Sequence, residues 1–158
     1  IVGTDITYIK MMQGFVFLTA FIDWFSRFVL SWRISITLET GFCFEAAEEL
    51  IDRFGAPTIL NEDQGSQNTD HVMTSLWECH GTKISMDSRG RALDNIFTER
   101  LWRSVKYEEV YLKEYATVLE AKDNIGNYFQ FYNYERKHQS LGYKTPAEIY
   151  FERRINLV

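Results

Sequence analysis

The sequence predicts an α/β domain built on a five-stranded mixed sheet, an antiparallel meander of three strands followed by parallel strands, flanked by helices. Two observations predict it. Three segments of strand character open the chain, separated by links short enough for antiparallel hairpins. After them the apolar residues recur at helical spacing, and each later strand-like segment is reached through a helix, the connection that parallel pairing requires. With 158 residues and 46% hydrophobic side chains, the chain is long enough for one domain with a substantial core.

Residues 2–10, VGTDITYIK, are rich in β-branched and aromatic types and form the first expected strand. Residues 14–23 are almost wholly apolar, as expected of a strand buried on both faces. In residues 27–34 the large side chains alternate, which predicts that Phe28, Leu30, Trp32 and Ile34 share one face. Phe42, Cys43, Ala46, Ala47, Leu50, Ile51 and Phe54 then recur every three or four residues, opposite Glu45, Glu48, Glu49 and Asp52. That is an amphipathic helix, started by Thr37 or Thr40 and closed by Gly55 and Pro57. A short strand from Thr58 leads to Asp63, a helix covers 70–79, and a fifth strand covers 82–86. Helices follow at 93–107 and 119–134, and Pro146 opens a last one at 146–154.

Composition excludes several classes. Aromatics at 16% argue against disorder. The longest apolar run, Phe15–Ile22 with one threonine, is too short to cross a bilayer, and no signal peptide is apparent. The chain begins in a strand-like segment without Met, which predicts one catalytic-size domain, 1–158, excised from a longer protein. Cys43 and Cys79 have no metal-type spacing and are expected to be buried, reduced thiols of a cytoplasmic protein. The net charge of −5 is unevenly spread: residues 39–70 hold eight acids and one base, so the remainder is slightly basic. The total therefore does not exclude a nucleic-acid partner.

Three carboxylates carry the candidate chemistry. Asp5 sits mid-strand among Val2, Ile6 and Ile9, where a charge is expensive unless it meets a cation or a partner. Asp63 follows a short buried strand, at the carboxyl end where open α/β sheets bind ligands. Glu99 lies in the 93–107 helix, with Asn95, Arg103 and Lys106 within about 40° of it on the helical wheel. Phe97, Leu101 and Val105 are expected to face the core. There are 57 residues between Asp5 and Asp63, and 35 between Asp63 and Glu99. Carboxylates so placed can converge on a pair of divalent cations, which is machinery for cutting and rejoining phosphodiesters. Read by itself, Glu99 with Arg103 is first a surface i,i+4 ion pair, and the two aspartates turn the reading towards a metal site. The Ser88-Arg89-Gly90-Arg91 loop offers Arg89 and Arg91 as phosphate contacts, with a solvated turn as the alternative.

The segments TDITYI (4–9), FIDWFSRFVLSW (21–32), EDQGSQ (62–67), SMDSRGRALDNIFTERLWRSVKYEEVYL (85–112) and YNYERKHQSLGYKTPAEIY (132–150) resemble the catalytic core of OrfB-type bacterial insertion-sequence transposases. These are relatives of retroviral integrases with an RNase H-like fold. The resemblance spans nearly the whole chain. It implies that Asp5, Asp63 and Glu99 are a DDE triad holding two Mg²⁺ or Mn²⁺ ions. It also implies that Arg103 and Lys106 contact DNA ends, and that the reaction is cleavage at element ends followed by 3′-OH strand transfer. The partners implied are DNA, as element end and target, and further copies of the chain, at least a dimer. No membrane and no small-molecule substrate is implied, and the setting is the cytoplasm of a bacterium, on the nucleoid. The chain departs from the pattern at Asn61-Glu62, where a Ser or Thr and an apolar residue are usual, and at Lys137, where Pro is usual. An RNase H-like nuclease and an inactive DNA-binding or assembly module are the competing readings.

Several residues are weighed for lesser roles. Asp23 is expected to close a turn with Ser26 and Arg27, and Asp94 to cap its helix. His138 is expected to pack, with DNA contact as the alternative. Trp102 suits either the core or a stacked base. The aromatics Tyr128, Phe129, Phe131, Tyr132 and Tyr134 suggest packing plus a subunit contact.

Overall fold

The computed structural model describes residues 1–62, 70–86 and 95–157. Strands β1 (Val2–Lys10), β2 (Phe15–Asp23) and β3 (Val29–Ser35) form the expected meander. They are followed by α1 (Thr40–Phe54), β4 (Ile59–Glu62), α2 (His71–Cys79), β5 (Lys83–Met86), α3 (Ile96–Glu108), α4 (Val118–Tyr134) and α5 (Pro146–Ile155). The sheet order is β3-β2-β1-β4-β5, with β4 parallel to both β1 and β5. Asp94 and the start of the 93–107 helix lie outside the described residues.

Two cores lie on opposite faces of the sheet. Alternation along β2 sorts its side chains: Val16, Leu18, Ala20 and Ile22 join Leu101, Trp102, Val105, Ile125 and Phe129 of α3 and α4. Phe21 joins Phe42, Cys43, Ala46, Ala47 and Leu50 of α1 with Met73 and Trp77 of α2. The same alternation in β1 sends Val2 to the α1–α2 side and Ile9 to the α3–α4 side.

The caps explain where the helices start. Thr117 accepts from the amide of Glu120 at α4, and Thr145 with Glu148 forms a reciprocal capping box at α5, where Pro146 takes the first helical turn. The expectation for α1 is corrected. Its N-cap is Glu39, without a side-chain hydrogen bond. Thr40 Oγ1 instead donates to Asp70 Oδ2 (3.4 Å), and Asp70 caps α2 through the amide of Val72 (2.8 Å). Gly55 closes α1 at φ 81°, where a side chain would be strained.

Two further corrections concern faces. Phe28 and Leu30 do pack with α1, but Trp32 and Ile34 pack against the α3–α4 core. A bulge is the cause: β2 advances one residue from Phe21 to Ile22 while β3 steps from Ser31 to Val29, which inverts the alternation beyond it. Cys43 is buried as expected, whereas Cys79 is exposed. Cys79 lies two residues past buried Trp77, hence on roughly the opposite side of α2.

The α3 helix crosses β1 at very short range. A Cβ placed on Gly3 would lie 2.4 Å from Trp24 Nε1 and 3.1 Å from Thr98 Oγ1. Gly3→Ala is therefore expected to lower stability by about 1–3 kcal/mol through overpacking. Urea unfolding of the variant measures it, and an unchanged midpoint would show that Trp24 moves aside freely.

Candidate active site

Asp5 pairs with Ala20 of β2, whose side chain points to the α3–α4 core, so Asp5 points the same way. The small Ala20 leaves space beside the carboxylate. Trp102 of α3 reaches across from the other layer, and its indole N–H donates to Asp5 Oδ2 at 3.3 Å. Thr19 Oγ1 donates to the Asp5 carbonyl at 3.2 Å and pins the strand behind it. The partner that a mid-strand charge requires is thus in part an indole. Trp102 is 7% exposed, which favours the core role over a freely stacking ring.

Thr98, Leu101, Trp102 and Val105 form the buried stripe of α3. Glu99 adjoins it on the exposed rim, one turn before Trp102, which brings Glu99 beside the residue that touches Asp5. Arg103 and Lys106 come one and two turns later, Arg103 exposed and Lys106 half-buried. Of the expected core residues on this helix, Leu101 and Val105 are buried. Phe97 is only half-buried: it packs on Trp24 and lies beneath Arg27, whose guanidinium is 3.7 Å from the ring centre. Asn95 is the N-cap of α3, its carbonyl accepting from the Glu99 amide (3.1 Å), while its side-chain oxygen is shielded and has no hydrogen bond among the described residues.

Asp63, Arg89 and Arg91 lie outside the described residues. Among the described residues no three metal-ligating side chains stand together. Glu62 pairs with Thr4 and shares the parity of Leu60, so it faces the α1–α2 layer rather than Asp5. It is fully buried, neither oxygen has a hydrogen bond among the described residues, and burial raises its pKa to about 7. Its proximity adds to the burial that pushes the Cys43 thiol up to about 11.

Two family models named integrase core domain match the chain, one over residues 1–92 and one over residues 80–146. The chain belongs to the integrase core domain family. Its five-stranded mixed sheet with flanking helices is an RNase H-like fold. The chain is 30% identical over 145 residues to the transposase for insertion sequence element IS629 of Shigella sonnei, covering 91% of this chain and 49% of that protein. It is 32% identical over 149 residues to the transposase for insertion sequence element IS904 of Lactococcus lactis subsp. lactis (strain IL1403), covering 91% and 58%. The chain thus spans about half the length of these relatives. The HTLV-2 integrase catalytic core domain in complex with magnesium, in its dimeric form, superposes with a TM-score of 0.74 at 19% identity, over 94% of this chain and 93% of that one. The nuclease and inactive-module readings draw no support from these likenesses.

The rest of the integrase core carries interactions that spacing does not reveal. Asp23 closes its turn as expected, accepting from the Ser26 amide (2.9 Å) and hydroxyl (2.6 Å). Arg27 is held at φ 67° beside it. In the carboxy-terminal segment Arg136 grips Glu108 through Nε and Nη2, both at 2.8 Å, and Tyr128 donates to the same carboxylate at 3.0 Å. His138 packs edge-on against Tyr132, with ring centroids 5.0 Å apart, so it packs as expected. Of the aromatic run, Tyr128, Phe129 and Tyr132 are buried, whereas Phe131 and Tyr134 are exposed. The pairing of Arg136 with Glu108 has a weak signal in the sequence, two opposite charges inside segments that resemble one family.

Two outcomes are expected. Trp102→Phe deletes the donor to Asp5 and also replaces the buried indole by a smaller ring, so stability should fall by about 2–3 kcal/mol in urea unfolding, more than the usual worth of one hydrogen bond. A far larger loss would mean that the ring's packing, not its N–H, is what matters. The second concerns pH. Burial, reinforced by Arg136 and Arg27, lowers the His138 pKa to about 4. The unfolded chain then binds more protons between pH 4 and the ordinary histidine value. The stability that neutral His138 supports is present above about pH 6.5 and is lost as pH falls towards 4. A urea series from acid to neutral pH should show that slope in the wild type and a shallower one in His138→Gln.

Proposed function

We propose that the chain performs divalent-metal-dependent cleavage of phosphodiesters at the ends of a DNA element and then joins the freed 3′-OH to target DNA. The observation that carries this reading is the placement of Asp5, a strand carboxylate held by Trp102, with Glu99 one turn away on the same helix, in an integrase core. Asp5, Asp63 and Glu99 are the proposed triad. An all-oxygen carboxylate set suits Mg²⁺ or Mn²⁺. When bound, two such ions would supply activation of the attacking oxygen and stabilisation of the leaving 3′ oxygen.

The chain's own side chains set the geometry. Trp102 fixes one Asp5 oxygen, and the strand backbone behind it is pinned by Thr19. Arg103 and Lys106 hold phosphates flanking the cut, with Asn95, Arg89 and Arg91 as further contacts. Water first attacks the phosphorus at the element's end, and the P–O3′ bond breaks to leave a 3′-OH. That hydroxyl then attacks a target phosphodiester, one P–O bond forming as another breaks, with no covalent enzyme intermediate. The proposed partners are DNA and at least one further copy of the chain. The dimeric form of the HTLV-2 core and the exposed Phe131 and Tyr134 support a dimer. No helix among the described residues is long and apolar enough to cross a membrane, and bacterial DNA in the cytoplasm is the proposed setting.

The test is nicking and joining of plasmid DNA by wild type and Glu99→Gln in Mn²⁺. The variant should lose more than about 100-fold, beyond the usual penalty for losing an outer-shell group, with an unchanged circular dichroism melt. Retained activity would remove Glu99 from the site.

A further inference from the structure

On one flank of α3, beside the Asp23–Arg27 turn and the Arg136–Ser140 segment, lies an open cleft of about 450 Å³. Arg27, Arg100, Arg103 and Arg136 line it, with Glu108 as its one carboxylate among the described residues. Glu108 is already engaged by Arg136 through three hydrogen bonds of 2.8–3.2 Å. Among the described residues no carboxylate forms an ion pair with Arg27, Arg100 or Arg103. A chain of net charge −5 thus gathers around one cavity three guanidinium groups without an ion pair among the described residues. Burial, with a smaller repulsion from Arg100, pulls the Arg27 pKa below its ordinary value, against opposing pulls from Tyr132 and Asp23.

Two of the groups, Arg27 and Arg136, are also held in place. Arg27 is fixed by its turn, its amide donating to the Asp23 carbonyl at 2.8 Å, and its guanidinium lies over Phe97. Arg136 is locked by its paired hydrogen bonds to Glu108. The hydroxyls of Ser104 and Tyr107 add donors to the same wall. Rigid guanidinium forks with few competing acceptors match phosphate oxygens.

We propose that this cleft is a second phosphate site, gripping the DNA backbone through Arg27, Arg100 and Arg103 against a wall fixed by Arg136. The proposal rests on the reading of the chain as a DNA strand-transfer core. Arg103 belongs to both surfaces, one turn after Glu99. Tyr107, near the far end of the cleft, lies two turns beyond Glu99, on the order of 12 Å along the helix. At about 3.4 Å per nucleotide, that addresses phosphates roughly three to four nucleotides from the bond that breaks. Contacts of this kind set register and orientation without reading sequence.

The test is binding of a labelled duplex oligonucleotide in EDTA across a salt series, by fluorescence anisotropy, for wild type and Arg100→Gln. Arg100 is exposed and Gln is a good helix former, so the variant should fold. The variant is expected to bind about tenfold more weakly, with the slope of log K against log salt reduced by about one. Equal affinity and slope in both proteins, or no metal-independent binding by the wild type, would overturn the proposal. So would an Arg100→Gln effect confined to inorganic pyrophosphate, which would indicate a small phosphorylated ligand. Plasmid nicking in Mn²⁺, run in parallel, separates the two readings. An inactive wild type whose DNA binding still depends on Arg100 would sink strand transfer and leave the cleft standing. An active wild type with unaltered binding in Arg100→Gln would sink the cleft alone.

Discussion

Everything around the candidate site depends on how closely α3 approaches β1. The glycine at position 3 leaves no room for a side chain beneath Trp24 and Thr98. With the helix at that distance, Leu101, Trp102 and Val105 bury against Ile9, Leu18, Ala20 and Ile22. Each such side chain contributes about 1.5–3 kcal/mol when fully buried. The same approach puts the Trp102 indole on Asp5. Packing and site geometry are therefore one constraint: moving α3 outward would part Thr98 from Gly3 and withdraw the Trp102 donor from the Asp5 carboxylate together.

The two faces of the sheet divide the charge. The acidic segment supplies α1, whose outer Glu45 and Glu49 pair with Arg33, and Glu49 also with Arg53 at 3.1 Å. The α3 layer lies on the other side of the sheet and presents Arg100, Arg103 and Lys106 outward. Screening confines each patch to about 10 Å at ordinary salt, so the acidic exterior of α1 weighs little at the arginine-lined cleft beside α3. The sheet thus separates an acidic exterior from the face proposed to meet DNA.

The carboxy-terminal segment completes that face. Tyr128 of α4 and Arg136 just beyond it converge on Glu108, the last residue of α3, and so tie the segment after α4 to α3. Glu108 is held below the usual carboxylate range chiefly by the Arg136 hydrogen bond, and His138 is held neutral by burial. Both groups make the assembly sensitive to acid, because in each case the unfolded chain binds protons more readily than the folded one.

The sequence by itself determined the element types, the strand meander and the identity of the candidate carboxylates. Those arise from local periodicity and from the types and spacing of residues, which neighbouring residues suffice to express. What it could not determine were phases and long-range partners. The bulge at β3 inverted the faces of Trp32 and Ile34, because one extra residue shifts every later side chain. Thr40 was drawn to Asp70 rather than capping its own helix. Phe97 left the core stripe to sit beneath Arg27, and Trp102, 97 residues from Asp5, became its hydrogen-bond partner. Such contacts are chosen by which layers pack together and how closely, and no local pattern encodes that distance.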